Sequence, residues 1–281
     1  MKIYKIFISI IIFFLFVSCA KEIEKKNLLK EKSLDLQVLE AYEEGVKSLE
    51  GGDVLYAAKK FNEAEILFPQ SDWAPKSALM AAYSYYVQDY YLDATAEIER
   101  FLRVYPKHKN IDYAYYLLAI CYYEQIVDEK KDLQSIIEAK KYFNYILANF
   151  ANTDYAIDAK FKIDLINDLL AAKEMYLGRY YFEKKKWIPA INRFRTVIDK
   201  YDQTIYIEEA LHRLVEIYYT LGLKEEGKKY ANLLGYNYNS SIWYEKTYAI
   251  FDKIYLENKK DKLLKEKKKN NILNKFKSIF K

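Results

Sequence analysis

One spacing of residues recurs five times along the chain and constrains the fold more than any other feature. A small residue is followed by a bulky one after four positions, another after three more, and an aromatic after four more. The copies begin at Ala57, Ala94, Ala139, Ala190 and Gly227. Because these steps follow the turn of an α-helix, the four side chains of a copy are expected on one helix face. The pattern predicts five helices, each with one buried stripe.

A second helix is predicted before each of these. Another small residue, or once a valine, stands 12 positions before four of the copies, at Gly45, Ala82, Gly178 and Val215, and Ala119 stands 20 positions before the third copy. Each unit is thus a helical hairpin, and its length and small positions resemble a tetratricopeptide repeat. Seven Gly and four Pro in 281 residues leave too few turn signals for a β-sandwich or barrel. The predicted fold is all-α, a right-handed superhelix of about five tetratricopeptide-like hairpins over residues 36–256.

Two departures from a regular array are expected. The third hairpin carries extra residues around 127–135, whose charged composition indicates a solvated loop. The first helix of the fourth hairpin is predicted to run without interruption from about Tyr155 through Phe182.

The N-terminus predicts export. Lys2 and Lys5 precede an apolar run over residues 6–17, and these 12 residues fall short of the roughly 20 that a spanning helix needs. An uncleaved signal anchor is therefore disfavoured, and residues 1–18 are interpreted as a signal peptide. Residues 15–19 resemble a lipoprotein cleavage box, which makes Cys19 the lipid attachment site and residues 19–35 a charged tether. Cys121 is then the one thiol left for the core, and no intramolecular disulfide is expected.

The C-terminal residues 257–281 form a basic tail. Ten lysines lie between Lys259 and Lys281, with a partial apolar stripe that includes Leu263, Leu273 and Phe280. The tail suits an anionic surface or a partner protein, or it is a frayed soluble helix.

Catalytic, cofactor and metal sites are not predicted. The two histidines, His108 and His212, are about a hundred residues apart, and no metal-binding, nucleophile or phosphate-loop motif is present. Carboxylates alternate with lysines, as on solvated helix faces. A net charge of +5 from 45 basic and 40 acidic residues does not indicate nucleic acid as a partner. The composition therefore favours a binding protein without cofactor or metal over an enzyme.

The expected binding surface is the concave side of the array. In tetratricopeptide repeats the first helix of each hairpin lines that side, and the same register here selects Tyr83, Tyr86, Tyr116 and Tyr123. Toward the C-terminus it selects His212, Glu216 and Tyr219, so the strip changes from aromatic to charged. An aromatic strip suits an extended peptide with aromatic side chains. The alternative is that these rings pack between neighbouring hairpins.

Two stretches carry a closer resemblance. Residues 52–61 with 68–74, and more specifically residues 100–116, resemble the BamD (ComL-type) family of tetratricopeptide lipoproteins of the outer-membrane β-barrel assembly machine. The resemblance implies an outer-membrane lipoprotein facing the periplasm, with two partners: a BamA-like barrel assembly protein and unfolded β-barrel precursors. It places precursor binding at Tyr83, Tyr86, Asp112, Tyr113 and Tyr116, and the contact with BamA at Arg193.

Two other functions remain as alternatives. One is a different periplasmic tetratricopeptide scaffold that coordinates cell-envelope or cell-wall synthesis, although no sustained heptad run precedes the first repeat. The other is an enzyme, since soluble lytic transglycosylases also contain a helical horseshoe. That reading needs an appended catalytic domain with a positioned glutamate, which the residues after Tyr255 do not supply.

Overall fold

The computed structural model describes residues 33–126 and 133–252, and within them every regular element is an α-helix. In chain order the helices are α1 (Leu34–Glu50), α2 (Val54–Leu67), α3 (Trp73–Val87), α4 (Tyr91–Val104), α5 (Ile111–Glu124), α6 (Gln134–Asn149), α7 (Asp154–Glu183), α8 (Trp187–Lys200), α9 (Ile207–Thr220), α10 (Lys224–Asn237) and α11 (Ile242–Phe251). None of these helices combines the length and apolarity needed to cross a membrane. The all-α prediction is confirmed.

Several predictions fall outside the described residues. These are the signal peptide, Cys19, all but the end of the tether, residues 127–132 of the expected loop, and the basic tail. The helical region itself begins at Leu34, inside the predicted tether.

The chain divides into two compact units, with the boundary inside α3 between Ala81 and Ala82. In the first unit, α1 and α2 form a hairpin around the fully buried ring of Phe61. Gly45 faces this ring so closely that a Cβ atom there would lie 2.8 Å from Phe61 Cε1. Tyr42 completes the core by packing on Phe61 and Trp73, with ring centroids 5.2 and 5.0 Å apart.

The second unit is built from consecutive hairpins. α5 pairs with α6, α7 with α8, and α9 with α10, while α4 packs on α5, α6 on α7, and α8 on α9. Gly178 of α7 faces the buried ring of Phe194 in α8, with a Cβ-to-Cε1 distance of 2.6 Å if a Cβ were present. The same glycine-against-phenylalanine contact thus closes the first and the fourth hairpin.

The repeated spacing corresponds to a buried stripe plus a helix end. In the first four copies the first three residues are fully buried. The fourth residue is not within the helix: Phe68, Tyr105, Phe150, Tyr201 and Tyr238 are all C-cap residues, with φ between −146° and −121°. The prediction that all four lie on one helix face is wrong for this last position. Non-helical backbone there ends the helix and leads the chain toward the next one.

α7 is the main irregularity of the array. It has 30 residues, whereas the next longest of the described helices has 17, so it is about 45 Å long. The predicted uninterrupted helix from Tyr155 through Phe182 is confirmed. α6 packs along its first half, where Ile163 and Ile166 join Phe143 in one core cluster. α8 packs along its second half, where Met175 joins Phe194 in another.

α11 follows the fifth hairpin and was not predicted from the repeat pattern. It packs against both α9 and α10. His212 Nδ1 lies 2.8 Å from Thr247 Oγ1, its ring is 5.2 Å from that of Trp243, and Tyr219 contacts Phe251. His212 is only 3% exposed, so its predicted place on an open binding strip is wrong. α11 covers it.

Candidate functional site

Five tyrosines from three helices of the second unit are neighbours through ring contacts or electrostatic interactions, and we call them the tyrosine surface: Tyr83, Tyr86, Tyr113, Tyr116 and Tyr155. Tyr83 and Tyr86 stand in the last turns of α3, with ring centroids 6.1 Å apart. Tyr113 and Tyr116 belong to α5, and Tyr155 begins α7. All five are partly buried. Four of the five residues predicted for precursor binding are therefore brought together.

Tyr155 joins the two tyrosines of α5. Its ring lies 4.9 Å from Tyr116 and 5.7 Å from Tyr113. The ring of Tyr116 packs against that of Phe143, with the centroids 6.4 Å apart. Its hydroxyl donates a 2.8 Å hydrogen bond to Asp158 Oδ2 of α7. This hydrogen bond spans 42 residues of sequence and fixes the ring of Tyr116.

The hydroxyl groups of Tyr86, Tyr113, Tyr116 and Tyr155 are neutral near pH 7, because the pKa of each is raised above its ordinary value. Burial raises the pKa of Tyr113, and the neighbouring phenols of Tyr83 and Tyr155 raise it further. The pKa of Tyr116 is also raised, first by burial and then by its hydrogen bond to Asp158. Burial, followed by the charge of Glu124, raises the pKa of Tyr86. A protonated phenol both donates and accepts hydrogen bonds, so the surface offers apolar ring area together with neutral polar atoms.

Asp112, the fifth predicted residue, stands at the edge of the tyrosine surface. It lies in the first turn of α5, where a carboxylate is favoured by the helix dipole. Its Oδ1 accepts a 2.8 Å hydrogen bond from the backbone N–H of Tyr113. After burial, the charge of Asp112 is the main reason that the pKa of Tyr155 is raised. Asp112 thus orders the start of α5 and places a negative charge beside the rings.

Sequence reasoning missed Tyr155 and Asp158. Both lie in the first two turns of α7, about forty residues after the tyrosines of α5. No repeat position marks them, because α7 is longer than the first helix of the other hairpins and breaks the regular register. Lys162, one turn further along, places its ammonium 4.3 Å from the ring centre of Tyr123. Tyr123, which the repeat register did select, is therefore covered by a cation on one face.

Arg193, predicted as the contact for a BamA-like partner, lies elsewhere, on α8. Its Nη1 donates to both carboxylate oxygens of Glu174, at 3.2 and 3.1 Å. Its side chain remains 41% exposed, so one side of the guanidinium still faces solvent. An exposed ion pair of this kind contributes little to stability, which leaves Arg193 available for a partner.

A second group of charges stabilises the fourth and fifth hairpins. Arg179 donates two hydrogen bonds to Glu209, at 3.0 and 2.6 Å, and Arg213 Nε donates a third at 3.3 Å. Burial alone would raise the pKa of Glu209, but the two guanidinium groups hold it below its ordinary value. Arg213 also bonds Glu216 at 2.7 Å and lies over the ring of Trp243. Each charged side chain of this group therefore has an oppositely charged partner within it.

Cys121 is fully buried in α5, in agreement with its interpretation as a small core residue. Burial raises the pKa of its thiol to about 12. Because the thiolate is the reactive form, this cysteine is inert near pH 7.

Comparison with known proteins places the chain in a family. The family model described as "YfiO: Outer membrane lipoprotein" matches residues 34–233. The "Outer membrane protein assembly factor BamD" of Caulobacter vibrioides is 38% identical over 235 residues, which cover 83% of this chain and 76% of that protein. The protein of the same name from Rickettsia prowazekii is 43% identical over 209 residues, 74% of this chain and 83% of its own length. The chain belongs to the YfiO/BamD family of outer membrane lipoproteins.

Proposed function

We propose that this protein is an outer membrane protein assembly factor without catalytic activity, anchored by Cys19 at the periplasmic face of the outer membrane. It binds β-barrel precursors at the tyrosine surface and a BamA-like barrel assembly protein at a face that includes Arg193. Its membership of the family supports assembly of outer membrane proteins. The observation that carries precursor binding is the gathering of four predicted residues, Tyr83, Tyr86, Tyr113 and Tyr116, into one partly exposed cluster.

The chemistry of the tyrosine surface suits transient capture of an extended chain. Each packed aromatic pair contributes about 0.5 to 1.5 kcal/mol beyond its buried area. A few such anchors, reduced by the entropy of ordering a flexible peptide, support affinities near micromolar, about −8 kcal/mol. Tyr83 already contacts Tyr86, and Tyr155 already contacts both tyrosines of α5, so little ordering of these rings is needed. A factor that passes precursors onward requires this kind of reversible binding.

A peptide-binding measurement tests the precursor site. A fluorescein-labelled peptide with alternating apolar residues and a C-terminal phenylalanine is titrated with the purified protein and followed by anisotropy. Replacing Tyr83 and Tyr86 together by alanine is expected to weaken binding at least about tenfold, or 1.4 kcal/mol. The matched control replaces Tyr180 and Tyr236, which are 48% and 88% exposed and lie outside the surface. Equal affinity of the two double variants would remove the tyrosine surface from the proposal.

The contact between Arg193 and the BamA-like protein is tested by reversing the charge of this residue. Arg193→Glu places a carboxylate next to Glu174 and is expected to abolish copurification of the BamA-like protein from solubilised membranes. Glu174→Gln removes the same ion pair but keeps the guanidinium, and it is expected to retain the partner. If both variants lose the partner equally, the ion pair acts through folding and Arg193 is not a contact.

The lipid anchor is tested independently. Cys19→Ala is expected to prevent acylation and to release the protein from the membrane fraction. If the Cys19→Ala variant still incorporates a fatty-acid label and stays in the membrane fraction, Cys19 is not the lipid attachment site.

A further inference from the structure

The second unit also contains a cleft beside the long helix α7, and this cleft shares no residue with the tyrosine surface. α6 and α8 pack on successive halves of α7, and the two core clusters meet α7 on either side of residues 167–170. A cleft of about 440 Å³ opens beside this point. Its walls come from one face of α6, from the middle of α7, and from Tyr201 at the end of α8. This volume is in the range of ligand-binding pockets.

The cleft combines apolar walls with cations. Leu133, Ile137 and Leu170 line it together with the ring of Tyr201, and Ile137 is 51% exposed. Lys140, Lys141 and Lys173 line it as well. On α6 the lining residues recur with steps of three and four, so they form one face of the helix.

Lys140 is the unusual residue of the cleft. It is partly buried, its Nζ donates a 2.6 Å hydrogen bond to Asn167 Oδ1, and it lies 5.6 Å from the ring centre of Tyr201. Across residues 33–126 and 133–252, no carboxylate lies within ion-pair distance of this ammonium group. Burial accordingly lowers the pKa of Lys140. An ammonium has three donors, and Asn167 accepts from one, so the group is poised for an anionic acceptor.

The neighbouring charges favour a single carboxylate over a membrane surface. Lys141 is paired with Glu138 at 2.8 Å, and Glu174 of the cleft is paired with Arg193 at 3.1 Å. Anionic lipid surfaces are recognised by clusters of roughly four to eight basic residues, more than the three lysines that line this cleft. Here the two glutamates would oppose a uniformly negative surface, whereas a local carboxylate next to Lys140 would avoid them. The apolar walls suit aliphatic side chains on either side of that carboxylate.

We propose that this cleft is a docking site for an acidic, aliphatic segment of a partner protein, whose carboxylate pairs with Lys140 while neighbouring aliphatic side chains contact Ile137, Leu170 and Tyr201. The site is additional to precursor binding and does not depend on it. Lys140 has no carboxylate partner within the described chain, so the partial burial of its ammonium group costs free energy in the unbound protein. A carboxylate of the bound segment would offset that cost.

The test uses the purified full chain and a fluorescein-labelled peptide of alternating glutamate and leucine. Anisotropy should show saturable binding that weakens with added salt. Lys140→Met keeps the length of the side chain and removes a desolvated charge, so the variant should fold; it is expected to weaken binding about tenfold. Lys140→Arg should retain most of the affinity. The control Lys160→Gln makes the same charge change at an exposed position of α7 and should alter affinity less than about twofold.

Three results would overturn the docking site. One is equal binding of a peptide in which glutamine replaces glutamate, and another is full affinity in Lys140→Met. The third is failure of the glutamate peptide to bind while phosphatidylglycerol vesicles bind through Lys140, which would make the cleft a lipid site. The Tyr83 and Tyr86 double variant should bind the glutamate peptide normally, so failure at the tyrosine surface remains distinguishable from failure here.

Discussion

Gly178 provides the sharpest test of how the hairpins close. A Cβ atom at this position would lie 2.6, 2.9 and 2.9 Å from three ring atoms of Phe194. Ordinary contact between carbon atoms is about 3.5 to 4.0 Å, so the ring would have to move by roughly 1 Å. Phe194 is fully buried among Met175, Ala190 and Val197, which leaves it no room to do so.

Two opposing effects set the size of the change in Gly178→Ala. Replacing glycine by alanine inside a helix favours folding by about 1 kcal/mol. Overpacking a rigid core costs about 1 to 3 kcal/mol, and the fully buried ring places this site at the upper end. The expected net loss is about 1 to 2 kcal/mol of unfolding free energy. For a domain of this size that lowers Tm by roughly 3 to 6 °C.

The assay is thermal unfolding followed by circular dichroism, with two companion variants. Gly227→Ala in α10 is the matched control, because the nearest atom to its added Cβ is 3.6 Å away. It should raise Tm slightly through helix propensity alone. Phe194→Leu combined with Gly178→Ala should be less destabilising than the sum of the two single changes. A Gly178→Ala protein at least as stable as the wild type would refute the argument that the glycine is required by Phe194.

Three further outcomes are expected. Tyr116→Phe removes the hydroxyl bonded to Asp158 but keeps the ring, so it should cost about 1 to 2 kcal/mol in chemical denaturation and leave aromatic peptide affinity within about twofold; a large affinity loss would mean that the hydroxyl binds the peptide. Ser77→Ala removes a fully buried hydroxyl that has no hydrogen-bond partner among the described residues, so it should stabilise the first unit by about 1 kcal/mol, and a loss of stability would contradict this assignment. Glu209 has a lowered pKa, so its stabilisation is present above its unfolded pKa of 4.5 and is lost as pH falls through the folded value. Glu209→Gln should therefore be less stable near neutral pH, with a difference from wild type that shrinks on acidification; a constant difference would exclude the carboxylate charge as the cause.

The repeat made most of the fold predictable. The spacing of Gly45 and Phe61 in the first hairpin recurs in Gly178 and Phe194 of the fourth. In both hairpins the glycine of one helix packs against the phenylalanine ring of the other. Helix period and close approach are properties of short sequence windows, so the stripe and its partners can be identified without coordinates. The uninterrupted α7 was also predictable, since its helical pattern from Tyr155 through Phe182 contains no proline and only one glycine, Gly178.

The candidate site was only partly predictable, because the repeat pattern does not reach residues of the irregular helix α7. Tyr83, Tyr86 and Tyr116 were found because they occupy repeat positions, and Tyr113 was named from the family resemblance. Tyr155 and Asp158 come from a helix whose length breaks the register, and only the packing of α5 on α7 brings them to the cluster.

The sequence by itself determined the helical hairpins, their buried stripes and the family, because these depend on residue spacing along single helices. Only the tertiary structure decided which side chains stay accessible. α11 covers His212, Asp158 fixes Tyr116, and α6 with α7 and Tyr201 enclose Lys140. The physical reason is that exposure and charge pairing depend on neighbours that are distant in sequence, and no local pattern records them.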